Sequence, residues 1–314
     1  MPAAALAPDV LAGQRRAVAR AITAVENGLP GANRLVDALY PHTGRAWRIG
    51  VTGPPGAGKS TLTDRLVGAF RAEDQRVAVV AVDPSSPFTG GALLGDRVRM
   101  DRWAEDDDVF VRSLAARGAL GGLSEATEAA CDVLDAAGFD VVLVETVGVG
   151  QGEIDVAEAT DTTLVVLVPE SGDAIQAMKA GLMEVADVFC VNKADKPEAP
   201  NLVRALRAML HLRPEAAWAP PVVTASALND VGIDRLGETL RQHREYLDPQ
   251  WEAVRAERLR RRVRRLVEAV WRRDFWADRG ETLAKAVARL GADPAPHRLA
   301  AALLDPEAAS EAGA

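Results

Sequence analysis

The sequence predicts an α/β fold built on a mainly parallel sheet, with helical extensions before and after it. Short runs of valine and leucine recur along the chain without polar alternation, as in strands that are buried on both faces. Helical segments lie between these runs, which is typical of strand–helix–strand units. A glycine-rich loop follows the first β-rich run and leads directly into a helix. Together these observations favour a sheet with helices on each side.

The segments alternate in a regular order along the chain. The first forty residues have helical spacing, with a break at 28–31. Two further helices are predicted at about 59–72 and 123–137. The predicted strands are 47–52, 77–83, 109–112, 141–145, 163–168, 188–191 and 222–224. We therefore expect residues 41–245 to form one sheet domain, preceded by a helical extension over 1–40.

The chain changes character after about residue 245, and residues 246–314 are predicted to form a helical arm. Residues 251–277 carry an apolar stripe at helical spacing, while the arginines from Arg258 to Arg265 crowd the other faces. A second helix is expected at about 281–290. Because the protein as a whole is acidic, this arginine-rich face is expected to be solvated rather than to bind RNA or lipid. The stripe can pack on the core or on a second subunit, and the sequence leaves these two open.

The composition narrows the class of protein. The 314 residues are 48% hydrophobic and 26% charged, and the formal charge of −8 argues against a general nucleic-acid binder. Two cysteines, Cys131 and Cys190, are too few for a disulfide framework and suit a reducing compartment. There is no apolar run of ~20 residues and no basic region ahead of an apolar one at the amino terminus. We expect a cytoplasmic protein without membrane or nucleic-acid partners.

Residues 53–61, GPPGAGKST, fit the phosphate-binding pattern G-x-x-x-x-G-K-[ST]. Glycines let the backbone wrap around phosphate oxygens, and the following helix directs its positive end at the same charge. Lys59 is expected to reach the β- and γ-phosphates, and the Ser60 hydroxyl to bind Mg²⁺. The predicted nucleotide contacts in this loop are Gly53, Pro55, Gly56, Ala57, Gly58, Lys59, Ser60 and Thr61.

Acidic residues end two of the predicted strands. Asp83 ends the second strand and Glu145 ends the fourth. In a parallel sheet both ends lie at the edge that carries the phosphate loop, where ligands bind. Carboxylates there hold Mg²⁺ and its waters, so both are candidate metal residues, and Gly148 is a candidate amide donor to the γ-phosphate. Asp96 is a further candidate carboxylate, which the pattern alone does not place.

A third motif indicates which base is bound. Residues 192–195, NKAD, follow a buried strand and fit N-K-x-D. In that motif the aspartate accepts hydrogen bonds from guanine N1–H and N2–H₂, which adenine cannot offer, and the asparagine ties the loop down. The candidate base contacts are Asn192, Lys193 and Asp195, with Ser226, Ala227 and Leu228 after the next strand. The three motifs in this order favour GTP over ATP and predict a GTPase.

The layout resembles the SIMIBI-type signal-recognition and metallocentre-assembly GTPases, because Lys59 and Glu145 lie 86 positions apart with two further strands predicted between them. Longer segments resemble one family, the MeaB/ArgK-type GTPases that serve methylmalonyl-CoA mutase and related adenosylcobalamin-dependent acyl-CoA mutases. DPSSPFTGG with ETVGVGQ is specific to that family. The matching segments are 53–61, 81–100, 145–153, 168–188 and 192–195. The resemblance covers about residues 40–230, and the carboxyl-terminal arm carries no motif that can be matched.

The resemblance implies a homodimeric GTPase that binds the mutase, gates the delivery of adenosylcobalamin and prompts the removal of damaged cofactor. It implies that Arg99 reaches the γ-phosphate when the mutase stimulates hydrolysis. It also implies that 169–187 couples nucleotide state to the partner, with Lys179 and Gln151 as coupling residues. The phosphate and Mg²⁺ residues it implies are Lys59, Ser60, Asp83, Asp96 and Glu145, and Lys59, Asp83, Arg99 and Gly148 form the expected catalytic set.

Other functions need features that this sequence lacks. Nickel delivery needs exposed cysteine or histidine ligands, whereas Cys131 lies in a predicted helix and Cys190 in a buried strand. A small-molecule kinase needs an acceptor pocket and has no use for N-K-x-D. A pure binding module has no use for the Mg²⁺ and γ-phosphate residues. The sequence does not determine the client mutase, its acyl-CoA substrate or the rates of hydrolysis.

Overall fold

A parallel sheet of seven strands organises the chain ahead of its long carboxyl-terminal helix. In this computed structural model the described residues are 3–83, 102–115, 125–146, 152–169, 181–214, 216–289 and 296–304. The strands are β1 (Trp47–Thr52), β2 (Val77–Asp83), β3 (Val109–Ala115), β4 (Val141–Thr146), β5 (Thr162–Leu167), β6 (Val188–Val191) and β7 (Val222–Thr224). They lie in the order β3-β2-β4-β1-β5-β6-β7, and every neighbouring pair is parallel. The predicted α/β fold is confirmed, and β3 extends three residues beyond the predicted 109–112.

Helices precede, separate and follow the strands. They are α1 (Ala7–Leu11), α2 (Arg15–Glu26), α3 (Ala32–Leu39), α4 (Lys59–Arg71), α5 (Glu125–Ala136), α6 (Gly152–Ala159), α7 (Leu182–Val185), α8 (Ala199–Leu210), α9 (Ile233–Leu247), α10 (Trp251–Arg289) and α11 (Pro296–Leu304). The helices predicted at 251–277 and 281–290 are one helix, α10. A glycine inside a helix costs only about 1 kcal/mol relative to alanine, so Gly280 does not end it.

The chain divides into two compact units, Met1–Arg258 and Leu259–Ala314. The first holds the sheet, helices α1 to α9 and the first turns of α10. The second holds the rest of α10 and α11. Within the described ranges of either unit, no helix has both the length and the apolar character needed to cross a membrane.

Apolar side chains cover both faces of the sheet, which is why its strands lack polar alternation. Along β2, Ala78 and Val80 belong to one layer and Val77 and Val79 to the other, and all four are fully buried. The first layer is completed by α2, α3 and α5, and the second by α4 and α9. Because both faces are filled, a ligand meets the sheet at the ends of its strands.

The amino-terminal helices are part of this core. Val10, Val18, Ile22, Leu35 and Leu39 are 0–1% exposed and pack in the layer that also contains α5. The helical spacing of the first forty residues therefore reflects burial against the sheet layer rather than a separate bundle.

Buried ion pairs hold the amino-terminal edge of the sheet. Arg48 at the start of β1 pairs with Asp132 of α5 at 2.8 Å, and both side chains are at most 3% exposed. Asp161, which precedes β5, accepts a hydrogen bond from the Arg48 amide at 2.9 Å and pairs with Arg258 of α10. The helical pattern predicts Arg258 on the solvated arginine face, but its side chain is 11% exposed. That prediction is wrong for Arg258 because its partner lies 97 positions away in the sequence.

Candidate functional site

The glycine-rich sequence forms a tight loop between β1 and α4. Gly53, Gly56 and Gly58 have φ angles of 136°, 77° and 82°, a region that other residues rarely adopt. A Cβ on Gly53 would collide with the carbonyl oxygen of Val166 in β5. A Cβ on Gly58 would lie 2.5 Å from Asn192 Nδ2. Backbone conformation therefore favours glycine at all three positions, and close neighbours add to that requirement at Gly53 and Gly58.

Lys59, in the first turn of α4, turns its ammonium group back onto this loop. Its Nζ donates to Gly53 O at 2.7 Å and to Pro54 O at 3.0 Å, and the residue is 6% exposed. The amino terminus of α4 adds the positive end of the helix dipole at the same place. The loop tip, Pro55 and Gly56, is exposed, while Ala57 is buried beneath it. The loop thus combines a buried cation with a face open to solvent.

Hydroxyl and carboxylate oxygens meet beside the loop. Ser60 Oγ donates to Glu145 Oε1 at 2.5 Å, and Asp83 ends the strand next to the one that carries Glu145. These three residues are 4–9% exposed. Among the described residues no three histidine, cysteine or acidic side chains form a metal-binding cluster. Two carboxylates and a hydroxyl still suit Mg²⁺, which takes its other ligands from water and substrate phosphates.

The side chain of Asn192 joins the phosphate loop to the loop after β7. Its Nδ2 donates to Ala57 O at 2.8 Å, and its Oδ1 accepts from the Ala227 amide at 3.0 Å. Asn192 is 3% exposed, so both bonds are shielded from water. The next residue, Lys193, has a φ of 54°, which is uncommon for residues other than glycine. The backbone therefore turns sharply at Lys193, shortly after β6 ends.

Asp195 is held by the loop that follows β7, here called the 225–232 loop. Ser226 Oγ donates to Asp195 Oδ1 at 2.6 Å. This hydrogen bond is the main reason that the pKa of Asp195 lies below its usual value. Asp195 is exposed, so an ionised carboxylate faces solvent and can accept hydrogen bonds from a base.

The 225–232 loop is a closed turn. Ser226 N donates to Val231 O at 2.9 Å and Val231 N donates to Ser226 O at 3.1 Å. Leu228, at the tip, is 81% exposed. Arg65 of α4 donates from Nε to Ala227 O at 3.1 Å, a contact that sequence reasoning missed. No motif marks Arg65, since its partner lies 162 positions away.

The structure brings together most of the predicted site residues. Lys59, Ser60, Asp83 and Glu145 lie at the carboxyl edge of the sheet, as do the loops that carry Asn192 and Asp195. Thr61 follows in α4 and is half-buried. Five predicted residues lie outside the described ranges, namely Asp96, Arg99, Gly148, Gln151 and Lys179.

The two cysteines are unsuited to metal transfer. Cys131 in α5 and Cys190 in β6 are 0–1% exposed, and burial raises the pKa of each thiol to about 12. A protonated thiol in the core is neither a metal ligand nor a nucleophile. The geometry of these cysteines therefore does not support a nickel-delivery function.

Comparison with known proteins agrees with the motifs. The family described as "Methylmalonyl Co-A mutase-associated GTPase MeaB" matches residues 18–279. A putative GTPase of Pyrococcus abyssi is 50% identical over 82% of this chain and 78% of its own length. GTPase ArgK of Escherichia coli is 42% identical over 71% of this chain and 70% of its own length.

A solved structure shares the fold. The structure described as "LAO/AO transport system kinase" superposes with a TM-score of 0.73 at 30% sequence identity, covering 91% of this chain and 90% of that one. The parallel sheet with flanking helices is therefore the SIMIBI-type arrangement predicted from the motif spacing.

The Asn192 contacts generate a prediction about nucleotide affinity. Asn192→Ala removes the bonds to Ala57 O and to the Ala227 amide, and it leaves two buried backbone groups unsatisfied. We expect affinity for GDP to fall about tenfold or more, measured by isothermal titration calorimetry. Asn201→Ala, at an exposed position of α8, is the matched control and should leave affinity unchanged. Equal affinity in Asn192→Ala and wild type would contradict a joining role for this side chain.

Proposed function

The chain belongs to the MeaB family of GTPases, and from that premise we propose that it is the GTP-dependent chaperone of an adenosylcobalamin-dependent acyl-CoA mutase. The observation that carries the nucleotide part is the meeting of the phosphate loop, the Ser60–Glu145 pair and the Asn192-linked loops at one sheet edge. The family description, with its reference to methylmalonyl-CoA mutase, supports the mutase as the client class. In this role the protein gates loading of the cobalamin cofactor and protects or reactivates the mutase.

GTP hydrolysis is the activity of this family, and the proposal assigns phosphate binding to the following residues of this chain. Lys59 and the start of α4 would neutralise the β- and γ-phosphates. Ser60, Asp83 and Glu145 would hold Mg²⁺, together with Asp96. When bound, that ion would neutralise negative charge on the phosphate oxygens of the nucleotide. The amide of Gly148 would sense the γ-phosphate.

The base selectivity that we propose depends on Asp195. Its carboxylate, which Ser226 Oγ holds by a hydrogen bond that lowers its pKa, would accept from guanine N1–H and N2–H₂. Adenine offers neither donor in that arrangement. The Lys193 stem would lie against the face of the base.

Asp195→Asn tests the base assignment. The amide presents a donor where guanine also has donors, so affinity for GTP should fall at least tenfold while affinity for xanthosine triphosphate rises. Competition binding with the two nucleotides measures both changes. Asp234→Asn, at the start of α9, is the control and should bind GTP as wild type does. Unchanged GTP binding in Asp195→Asn would contradict the assignment of Asp195 to guanine recognition.

Hydrolysis by the protein alone is expected to be slow. Val149 follows Gly148, so no glutamine side chain at that position can orient the attacking water. We propose that the mutase stimulates turnover, with Arg99 reaching the γ-phosphate. Residues 169–187, which include α7, would change conformation with nucleotide state and carry the signal, with Lys179 and Gln151 as coupling residues.

Lys179 provides the test of coupling to the client. Lys179→Ala should bind GTP and hydrolyse it slowly at near wild-type rates alone, but should lose most of the stimulation by the mutase. The mutase is first captured from native lysate on the protein loaded with a non-hydrolysable GTP analogue, and it is identified by mass spectrometry. GTP turnover is then measured with and without this mutase. Lys285→Ala, at an exposed position of α10, is the control. Full stimulation of Lys179→Ala would move the coupling role elsewhere in 169–187.

We also propose that the second unit forms a homodimer. Its helix α10 exposes apolar side chains in a stripe at helical spacing, and a groove of about 890 Å³ lies between α10 and α11. The stripe consists of Leu259, Val263, Val267, Val270 and Trp271, which are 38–60% exposed. A contiguous exposed apolar surface of this kind is typical of a protein interface, and a second copy would supply the complementary stripe.

A charge placed in the stripe tests the dimer. Val267→Glu should shift the sedimentation coefficient of the wild-type dimer to that of a monomer, because a carboxylate would be buried without a partner. Glu268→Lys, which changes the charge outside the stripe, should remain dimeric. A Val267→Glu protein that sediments with Glu268→Lys as a dimer would contradict the proposed interface.

A further inference from the structure

Arg65 connects the phosphate-binding helix to the 225–232 loop. It lies six residues after Lys59 in α4, and its Nε donates to Ala227 O at 3.1 Å and lies 3.6 Å from Asp230 Oδ1. The side chain is 28% exposed, so the contact is partly shielded. We propose that Arg65 is a positioning residue for guanine, which aims the Leu228 amide at O6 of the base. The proposal rests on the guanine specificity proposed above.

The geometry of the peptide bond gives Arg65 this effect. The peptide that joins Ala227 to Leu228 is planar and trans, as are all peptides in the described chain, so its C=O and N–H point to opposite sides. Fixing the carbonyl oxygen toward α4 therefore fixes the Leu228 N–H away from α4. One hydrogen bond to the carbonyl oxygen therefore orients the N–H, which lies in the same plane and points the opposite way.

The Leu228 amide is the donor that the loop tip can offer. The Ala227 amide is already used, because it donates to Asn192 Oδ1 at 3.0 Å. Within the described residues the Leu228 amide donates to no backbone carbonyl. Leu228 is 81% exposed and lies at the tip of the loop.

Other contacts hold the base of the 225–232 loop but not the plane of this peptide. Ser226 and Val231 close the turn with two backbone hydrogen bonds, and Asn229 donates to Ser226 O from its amide at 3.1 Å and to Ser226 Oγ from Nδ2 at 2.9 Å. The amide bond from Asn229 closes a β-turn in which the peptide between Ala227 and Leu228 is the central one and makes no hydrogen bond within the turn. At the tip, Asn192 holds Ala227 on its amide side and Arg65 holds it on its carbonyl side. Removing Arg65 should therefore leave the turn closed while freeing the peptide to rotate.

The chemistry of the bases makes this donor selective. Guanine presents an acceptor at O6, whereas adenine presents an amino donor at the same position. A fixed N–H donates to guanine O6 and repels the amino group of adenine. Asp195 reads a different part of guanine, its N1–H and N2–H₂. The role of Arg65 is thus confined to the O6 contact, which separates it from a general effect on folding.

A binding cycle with modified bases tests the proposal. Arg65→Met keeps the apolar stem and removes the donor. Arg71→Met, on the same helix but bonded to Asp106 and Asp108, is the matched control. The ligands are GDP, 6-thioguanosine diphosphate, whose sulfur is a weak acceptor, and inosine diphosphate, which lacks the 2-amino group. Calorimetry gives the three dissociation constants for each protein.

Arg65→Met should bind GDP about tenfold more weakly than wild type does. Its preference for GDP over the 6-thio analogue should fall toward one, while its preference for GDP over inosine diphosphate should stay at the wild-type value. Arg71→Met should match wild type for all three ligands. Arg65→Lys, which retains a donor on a flexible stem, should recover part of the preference for O6, and it serves as the test if Arg65→Met does not fold.

Equal weakening of all three ligands, with both preferences retained, would show that Arg65 has only a structural role and would overturn the proposal. Wild-type affinities in Arg65→Met would overturn it as well. A wild-type protein that binds ADP as tightly as GDP would instead refute the guanine assignment itself, and the two failures are therefore distinguishable.

Discussion

The candidate site depends on the two hydrogen bonds of the Asn192 side chain, because they link two loops that are far apart in sequence. One amide group bonds the phosphate loop at Ala57 and the 225–232 loop at Ala227, both in a buried setting. Gly58 has no room for a side chain because this amide lies against it. The phosphate loop and the 225–232 loop are thereby fixed relative to each other, so in the proposed function a nucleotide that spans both meets a preformed site.

The two edges of the sheet have separate roles. The carboxyl edge carries the loops and the oxygen-rich group around Ser60, while the amino edge is held by buried ion pairs such as Arg48 with Asp132. Removing one partner of a buried pair is costly, so the amino edge anchors the first turns of α10 through Arg258. In the same region Trp251 Nε1 donates to Gly44 O at 3.1 Å. The first turns of α10, up to Arg258, are thus held at the edge opposite the candidate nucleotide site.

Selectivity in the proposed function arises from the backbone as much as from side chains. Asp195 is the carboxylate that the base motif contributes, and it is held by a hydrogen bond from Ser226 Oγ. In the proposal, the neighbouring donor is the Leu228 main-chain amide, which Arg65 orients through its hydrogen bond to Ala227 O. Such an arrangement fits a switch protein, because rigid recognition of the base leaves the phosphate-sensing segments able to change with nucleotide state.

The sequence by itself determined the parallel sheet, the phosphate loop and the acidic strand ends, because each of these features depends on a short stretch of neighbouring residues. Buried strands show as valine runs, so the bounds of β1, β2, β6 and β7 coincide with the predicted ones. The parallel arrangement then places Asp83 and Glu145 at one edge. Tertiary structure alone decided the burial of Arg258, the continuity of α10 and the contact of Arg65 with Ala227. The two arginine contacts depend on partners 97 and 162 positions away in the sequence, which a local pattern does not reveal. The continuity of α10 depends on the small free-energy cost of a glycine, Gly280, inside a helix.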